Sequence, residues 1–144
     1  MTLLDAYAII GFLAGEPVAD DVDLLIRRSE SRMTTLGVAE VIDRMARLYD
    51  ADPDDVAVDI ATLGLESPTP LDLTTSVLAG RLRARHYHRT TRAVSMADCV
   101  LAATAQVTGE PLATSDPHLL GLCHDEGIPA IPLPGSDGSV WSPA

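Results

Sequence analysis

Short segments that fit β-strands alternate with longer segments of helical periodicity, and this alternation limits the possible folds more than any other feature of the sequence. Strands that are separated by helices usually run parallel and are joined by right-handed crossovers. The sequence therefore predicts an α/β fold of three layers, in which helices cover both faces of a mostly parallel, five-stranded sheet. The five predicted strands span residues 2–4, 31–34, 67–71, 111–114 and 129–133.

Seven helices are predicted from the spacing of apolar residues and from residues that favour helix ends. Residues 38–50 give the clearest case, because their apolar side chains recur at the spacing of an amphipathic helix. Asp52 directly before Pro53 is typical of a helix start, and Gly109 and Gly127 are typical of helix ends. The other helices are predicted over residues 5–16, 18–29, 95–109 and 115–127, and from residue 72 into an arginine-rich stretch.

Length and composition indicate a single domain with a substantial core. The chain has 144 residues, of which 47% are hydrophobic. We predict one domain over residues 1–133 and a flexible tail over residues 134–144. No apolar run approaches the ~20 residues that span a bilayer. Cys99 and Cys123 lack the spacing of a metal site and are predicted to be buried thiols, as expected of a cytoplasmic protein that does not enter a membrane.

The charge of the chain is unevenly distributed. A net charge of −11 argues against a protein that coats nucleic acid through a broad basic surface. All ten basic residues are arginines, and Arg81, Arg85, Arg89 and Arg92 follow one another at about one helical turn. This stretch is either a ridge that contacts phosphates, with Arg81 and Arg85 as candidate substrate-binding residues, or a helix end at which the helix dipole favours cations.

Four acidic residues are predicted to meet at one edge of the sheet. Asp5 directly follows the first strand, and Asp116 directly follows the strand at 111–114. Glu40 lies in the first turns of the helix after the second strand, and Asp98 lies in the first turn of another helix. Ligands of open α/β sheets bind beyond the carboxyl ends of the strands, so these side chains point to a shared site.

Each acid also has an ordinary structural explanation. Asp98 and Ser95 resemble a capping box, Asp116 and Asp5 are suitable N-caps, and Glu40 could be solvated. If the four converge, however, carboxylates ~4 Å apart repel by about 4 kcal/mol per pair at an effective dielectric of 20. A fold tolerates such a cluster only with a cation or a raised pKa, and oxygen ligands favour Mg²⁺ or Mn²⁺.

A carboxylate-bound metal supports hydrolysis of phosphodiesters. The ion lowers the pKa of its bound water and neutralises charge that develops on the phosphate, so neither a serine nor a cysteine nucleophile is needed. We therefore interpret the chain as a metal-dependent hydrolase with four catalytic residues: Asp5, Glu40, Asp98 and Asp116.

Four segments carry these acids: LLDAYAIIGFL, VAEVIDR, SMADCVLAATA and LATSDPHLL. In this order and near these spacings they resemble the acidic motifs of PIN-domain nucleases, and the short form resembles the VapC ribonuclease toxins of bacterial type II toxin–antitoxin systems. The resemblance covers roughly residues 1–133. It implies a five-stranded parallel sheet, cleavage of single-stranded RNA, a homodimer, and a cognate antitoxin that occludes the pocket.

The resemblance also implies individual roles. Asp5 and Asp98 would bind Mg²⁺ directly, Asp116 would bind it directly or through water, and Glu40 would position the metal-bound water. Two departures concern the surroundings of the site: Ala6 replaces a common Ser or Thr, and Pro117 and His118 stand where many relatives have a further acid. Thr114 and Ser115 precede Asp116, and one prediction is that they donate hydrogen bonds to it. The alternative is that they only end the strand and cap the helix.

Alternative functions remain open at this point. A PIN-like binding module without catalysis would usually have lost an acid, whereas all four are present here. A PIN nuclease that processes RNA, or acts on DNA, without an antitoxin is not distinguished by the sequence. A phosphorylated receiver domain needs a lysine, which the chain lacks, and a haloacid-dehalogenase phosphatase needs a second acid at position 7, which is Tyr7.

Overall fold

A computed structural model describes residues 1–28, 30–65 and 70–144. Within these residues the chain forms four strands and seven helices in an order that agrees with the predicted alternation. The strands are β1 (Thr2–Leu4), β2 (Ser31–Arg32), β3 (Leu112–Thr114) and β4 (Ala130–Pro132). The helices are α1 (Ala6–Leu13), α2 (Ala19–Arg27), α3 (Thr35–Tyr49), α4 (Pro53–Thr62), α5 (Leu73–His86), α6 (Met96–Thr108) and α7 (Pro117–Glu126).

The strands form one parallel sheet in the order β2-β1-β3-β4. β2 pairs with one edge of β1, whereas β3 pairs with the other edge of β1 and is followed by β4. The strand order therefore reverses between β1 and β3, where Leu4 is the register partner of Ala113. Such a reversal opens a crevice beyond the carboxyl ends of the two strands, which is where open α/β sheets bind ligands.

The predicted α/β fold with a parallel sheet is confirmed. β1, β3 and β4 agree with the prediction to within one residue at each end, and the two other predicted strands differ more. Residues 67–69 of the predicted strand 67–71 lie outside the described residues, and Pro70 and Leu71 form neither helix nor strand. The strand predicted over residues 31–34 ends at Arg32. It ends early because Thr34 caps α3, where its hydroxyl accepts a hydrogen bond from the backbone N–H of Gly37 at 2.9 Å.

Apolar side chains cover both faces of the sheet, as the three-layer prediction requires. Successive residues of a strand point to opposite faces. Leu3 and Leu112 accordingly belong to a core with α5, α6 and α7, whereas Leu4 and Ala113 belong to a core with α1 to α4. Deep burial on both faces fixes the strand register, because a slip by one residue would exchange the two faces.

Side-chain caps fix most helix starts near the sheet edge. Six of the seven described helices have an Asp, Ser or Thr at the N-cap whose side chain accepts a backbone N–H, and α2 is the exception. Gly109 and Gly127 follow α6 and α7 with φ of 74° and 68°, a left-handed conformation that glycine adopts without strain. Both ends agree with the sequence prediction.

Three smaller expectations concern the cysteines, the membrane and the tail. Cys99 and Cys123 are buried and free, as predicted. None of the helices that the structure describes is long and apolar enough to cross a membrane. Residues 134–144 form neither helix nor strand, and the indole ring of Trp141 lies 6.3 Å from the ring of His124 in an edge-on contact. The flexibility of this tail stays a prediction.

Candidate active site

Asp5 occupies the crevice between β1 and β3. It is the N-cap of α1, and its carboxylate accepts hydrogen bonds from the backbone N–H of Ala8 at 2.7 Å and from the hydroxyl of Thr114. Only 5% of the residue is exposed. Burial raises the pKa of Asp5 to about 7, against the two hydrogen bonds, and the negative charges of Asp98 and Asp116 raise it further. Asp5 is therefore both a helix cap and a buried carboxyl group.

Thr114, the last residue of β3, connects two of the acids. It is fully buried; its hydroxyl donates to the Asp5 carboxylate and accepts the backbone N–H of Asp116 at 3.1 Å. The prediction that Thr114 donates to Asp116 is therefore wrong. The parallel register places Thr114 beside the end of β1, where Asp5 is the nearer acceptor.

Asp98 forms the predicted capping box with Ser95 at the start of α6. The Ser95 hydroxyl accepts the backbone N–H of Asp98 at 3.0 Å, and the Asp98 carboxylate accepts the backbone N–H of Ser95 at 2.8 Å. Burial nevertheless raises the pKa of Asp98, against the bond from Ser95, and the charge of Asp116 raises it further. The cap fixes the direction of a carboxylate that also belongs to the acid cluster.

Glu40 and Asp116 complete the cluster from two other helices. Glu40 lies half-buried in the second turn of α3, and burial together with the charge of Asp98 raises its pKa. Asp116 is the N-cap of α7 and accepts the backbone N–H of His118 at 2.8 Å. Asp5, Glu40 and Asp98 line one narrow cleft, whereas Asp116 lines a neighbouring cavity beside Tyr7.

The donor atoms of this cluster suit a hard divalent cation. Within residues 1–28, 30–65 and 70–144, no three acidic, histidine or cysteine side chains are grouped as a ready-made metal cage. Mg²⁺ does not require such a cage, because it usually keeps several waters and binds one or two carboxylates. Burial is the main cause of the raised pKa values of Asp5, Glu40 and Asp98, and the negative charges of neighbouring acids raise them further. A bound cation would favour the ionised form of each group.

Sequence reasoning missed a basic residue whose charge acts on the cluster. Arg44 lies one turn after Glu40 on α3; its guanidinium donates to the Tyr7 hydroxyl at 2.7 Å and lies 4.6 Å from the centre of the Tyr7 ring. The positive charge of Arg44 lowers the pKa of both Glu40 and Asp98, against the effect of burial. The available signal was its position four residues after Glu40.

One of the two interpretations of the arginine-rich stretch, a single helical ridge over residues 81–92, is wrong, because α5 ends at His86. The last turn of α5 carries Arg83, Arg85 and His86, which agrees with the interpretation as a cationic helix end. Beyond α5, the ring nitrogen Nδ1 of His88 accepts the backbone N–H groups of Thr90 and Thr91, each at 3.3 Å, and His88 pairs with Arg92 across a tight turn. Such local side-chain bonds compete with continuation of a helix. Arg89 and Arg92 therefore lie beyond the helix on which Arg81 and Arg85 are found.

Arg81 and Arg85 differ in their surroundings. Arg81 is exposed on α5. Arg85 binds Glu126, the last residue of α7, at 2.9 Å, and His86 binds the same carboxylate at 2.5 Å. Because ten helical residues span about 15 Å, Arg85 contacts the end of α7 that is remote from Asp116. The structure thus brings Asp5, Glu40 and Asp98 into one cleft, places Asp116 in the cavity beside it, and holds Arg85 away from Asp116.

The geometry and the sequence agree with one family. The model of the PIN domain family matches residues 2–123 of this chain. The chain therefore belongs to the PIN domain family. No curated protein sequence matches it.

Solved structures of this fold come from several bacteria. FitAcB of Neisseria gonorrhoeae superposes with a TM-score of 0.67 at 21% identity, over 90% of this chain and 96% of that chain. The sarcin–ricin loop cleaving toxin VapC20 of Mycobacterium tuberculosis has a TM-score of 0.65 at 14% identity, over 84% of this chain and 94% of that one. VapBC2 of Rickettsia felis, bound to a promoter DNA fragment, has a TM-score of 0.65 at 13% identity, over 90% and 96% of the two chains.

Proposed function

We propose that this protein is a Mg²⁺-dependent endoribonuclease and the toxin of a type II toxin–antitoxin pair, with Mn²⁺ as a possible substitute ion. The observation that carries the proposal is the placement of Asp5, Glu40 and Asp98 in one cleft, with Asp116 lining the cavity beside it, at the point where the strand order of the sheet reverses. The charges of Asp98 and Asp116 both act on the pKa of Asp5, and the charge of Asp98 acts on that of Glu40. Perturbed pKa values cluster at functional sites, and a divalent cation bound by these carboxylates would compensate their repulsion.

Each acid has a proposed role in the reaction. Asp5 and Asp98 would hold the ion, Asp116 would bind it directly or through water, and Glu40 would orient the attacking water. A bound divalent cation supplies a more acidic water and neutralises the charge of the scissile phosphate. Hydrogen bonds orient both proposed ligands: the Thr114 hydroxyl donates to the carboxylate of Asp5, and the backbone N–H of Ser95 donates to the carboxylate of Asp98. Attack of the water on phosphorus forms one P–O bond as the bond to the leaving ribose oxygen breaks.

The proposed partners are an RNA substrate, a second copy of the chain and an antitoxin. Support comes from the fold shared with VapC20 and VapBC2, and with a toxin–antitoxin complex of Klebsiella pneumoniae at a TM-score of 0.60. An antitoxin would block the cleft that Asp5, Glu40 and Asp98 line. A small overlapping reading frame directly upstream of the gene would favour this proposal over an RNA-processing nuclease. A cytoplasmic location is proposed on the same grounds.

The test of the proposed function is cleavage of an end-labelled RNA pool by the purified protein with Mg²⁺ and with EDTA. We expect discrete cutting that requires Mg²⁺ and that Asp98→Asn reduces by about 100-fold or more, because loss of residues that only support a ligand already costs 10–100-fold. Asp72→Asn is the matched control, since Asp72 caps α5 and does not line the acidic cleft.

Other results of this test would contradict the proposal in different ways. If no RNA is cut with Mg²⁺ or Mn²⁺, a PIN-like binding module without catalysis becomes the better interpretation. Cutting that survives both EDTA and Asp98→Asn would indicate a contaminant or a different active site.

The arginines of α5 give a separate prediction about substrate binding. The double variant Arg81→Ala/Arg85→Ala is expected to weaken RNA binding and to flatten its dependence on salt, by about 0.7 in logarithmic slope for each phosphate that the protein no longer binds. The double variant Arg27→Ala/Arg28→Ala removes the same charge from exposed residues at the end of α2 and serves as the control. An unchanged salt slope in the α5 variant would exclude these arginines from the RNA-binding surface.

A further inference from the structure

Two cavities meet beside the acidic cleft. One, of about 310 Å³, is lined by Arg44, Tyr49 and Glu16 among others, and the second, of about 560 Å³, is lined by Asp116 and Trp141 among others. They share four lining residues and are therefore two parts of one groove, here called the Tyr7 groove. The shared residues are Tyr7, Ser115, Gly135 and Ser136.

We propose that the Tyr7 groove binds the nucleotide next to the scissile phosphate of a single-stranded RNA. Arg44 contacts a backbone phosphate, and the base lies in the part of the groove between Tyr7 and Trp141. This inference rests on the proposed ribonuclease function and adds to it a binding site for the flanking nucleotide.

The position of the groove is the first argument. Tyr7 comes two residues after Asp5, Arg44 lies one helical turn after Glu40, and Asp116 itself lines the groove. An RNA strand with one phosphate at the acids must continue along a surface that begins there. The volumes of the two parts of the groove, about 310 and 560 Å³, both fall in the range of about 300–1,000 Å³ that is usual for small-molecule sites. This space is sufficient for a nucleotide.

The state of Arg44 is the second argument. Five other arginines, namely Arg27, Arg32, Arg47, Arg85 and Arg92, form salt bridges with carboxylates. Within the described part of the chain Arg44 forms none within 4.0 Å, as is also true of Arg28, Arg81, Arg83 and Arg89. What sets Arg44 apart is its place beside the acids: its hydrogen bond goes to the hydroxyl of Tyr7, and its charge acts on the pKa of Glu40 and Asp98 without direct contact. A guanidinium has five N–H donors, so a group held by one bond and by a ring face keeps donors for a phosphate.

The aromatic walls are the third argument. Tyr7 is 46% exposed although it lies beside a buried acid, and Trp141 is half-buried and in edge-on contact with His124. Unpaired bases stack on such rings, whereas the bases of a duplex are already stacked on each other. The combination of one unpaired cation with two aromatic side chains thus favours single-stranded RNA as the occupant.

The test measures binding without cleavage. Every protein in this test carries Asp98→Asn, and the buffer contains EDTA, so that the RNA is not cut. The probe is a short single-stranded RNA labelled with fluorescein. Its fluorescence anisotropy reports binding and is measured over a range of salt concentrations. Arg44→Gln is expected to weaken binding by about 10-fold. It should also reduce the logarithmic salt slope by about 0.7. Arg47→Gln is the matched control, because Arg47 lies one turn further on α3, is exposed and is paired with Asp43; its slope should equal that of the parent protein.

Two changes of Tyr7 separate its hydroxyl from its ring. Tyr7→Phe keeps the ring but loses the oxygen that holds Arg44, and Tyr7→Ala loses both. We expect Tyr7→Phe to bind less tightly than the parent and Tyr7→Ala to bind about 10-fold less tightly or worse. Trp141 is the single tryptophan of the chain, so a change of its fluorescence on adding RNA reports occupancy of the groove directly.

Several outcomes would overturn the inference while leaving the nuclease proposal intact. These are equal salt slopes for Arg44→Gln and Arg47→Gln, no binding of RNA by the parent protein, or RNA binding that leaves Trp141 fluorescence unchanged. If the variants weaken binding of an antitoxin but not of RNA, the groove is a protein-binding surface instead. Failure of the nuclease proposal is detected separately, in the cleavage assay with the wild-type chain.

Discussion

Asp5→Asn is expected to abolish RNA cleavage and, in the absence of metal, to make the protein more stable above pH 7 than the wild type. The wild-type carboxyl group is buried, and its pKa rises from 3.8 in a model compound to about 7 in the fold. Asparagine is a good N-cap, because its one oxygen can accept the bond from the backbone N–H of Ala8. Its NH₂ group takes the place of the second oxygen, so the Thr114 hydroxyl can no longer donate at that position. The variant thus keeps the cap but has no buried charge.

The pH dependence of stability has a definite sign. Between about pH 4 and pH 7 the folded state holds the Asp5 proton while the unfolded state has lost it, so ionisation favours unfolding. The wild type therefore gains stability from this group below its unfolded pKa and loses that gain as the pH rises through about 7. Because one pKa unit corresponds to about 1.4 kcal/mol, the loss amounts to a few kcal/mol at most.

Urea unfolding of both proteins in EDTA, at about pH 5 and about pH 8.5, measures the difference. The stability advantage of Asp5→Asn should appear at the higher pH and shrink at the lower one. Mg²⁺ should stabilise the wild type and not the variant, since only the wild type keeps the proposed ligand. If the variant is less stable than the wild type at the higher pH, the ionised Asp5 carboxylate does not lower the free energy of unfolding, and the prediction is wrong.

Asp72→Asn provides a control of opposite sign. Asp72 is also an N-cap, but the backbone N–H of Thr75 holds its pKa below its usual range and it is exposed to solvent. Its ionised form therefore favours the fold, and that contribution is lost as the pH falls through its folded pKa. The Asn variant should be slightly less stable than the wild type at the higher pH.

Local sequence signals predicted the positions of three acids in the fold, because Asp5, Asp98 and Asp116 each stand at the start of a helix. Their catalytic roles stay a prediction. Asp98 stands three residues after Ser95, Asp116 directly before a proline, and Asp5 directly after an apolar strand. A parallel sheet then places strand ends at one edge, so the alternation of strands and helices predicts their convergence. The helix starts followed from the same signals, since the caps are read within four residues.

Contacts between distant residues could not be predicted in this way. Tyr7 and Arg44 are 37 positions apart, and their pairing depends on how α1 packs on α3. Thr114 and Asp5 are 109 positions apart, and their hydrogen bond depends on the register of β1 against β3. Periodicity gave a wrong prediction for the arginine-rich stretch. The regular spacing of arginines continues beyond His86, whereas α5 ends there.

Thr114→Val is expected to reduce cleavage by about 10–100-fold and to destabilise the fold, although valine has nearly the same shape. The buried hydroxyl donates to Asp5 and accepts from the backbone N–H of Asp116, so its loss leaves a carboxylate and an amide without these partners. An unsatisfied buried polar group costs about 1–3 kcal/mol. Thr114→Ser keeps the hydroxyl and loses one methyl group, so it should keep near-wild-type activity at a cost of about 1 kcal/mol.

The pH dependence of cleavage distinguishes a positioning role of Thr114 from simple packing. The hydrogen bond from Thr114 lowers the pKa of Asp5 against the effect of burial. Its removal in Thr114→Val should raise that pKa, so the acidic limb of kcat/KM should move to higher pH, whereas in Thr114→Ser it should stay in place. If both variants lose stability but keep the wild-type pH profile and kcat/KM, Thr114 serves only the packing of β3, and the orientation of Asp5 rests on its cap bond to Ala8.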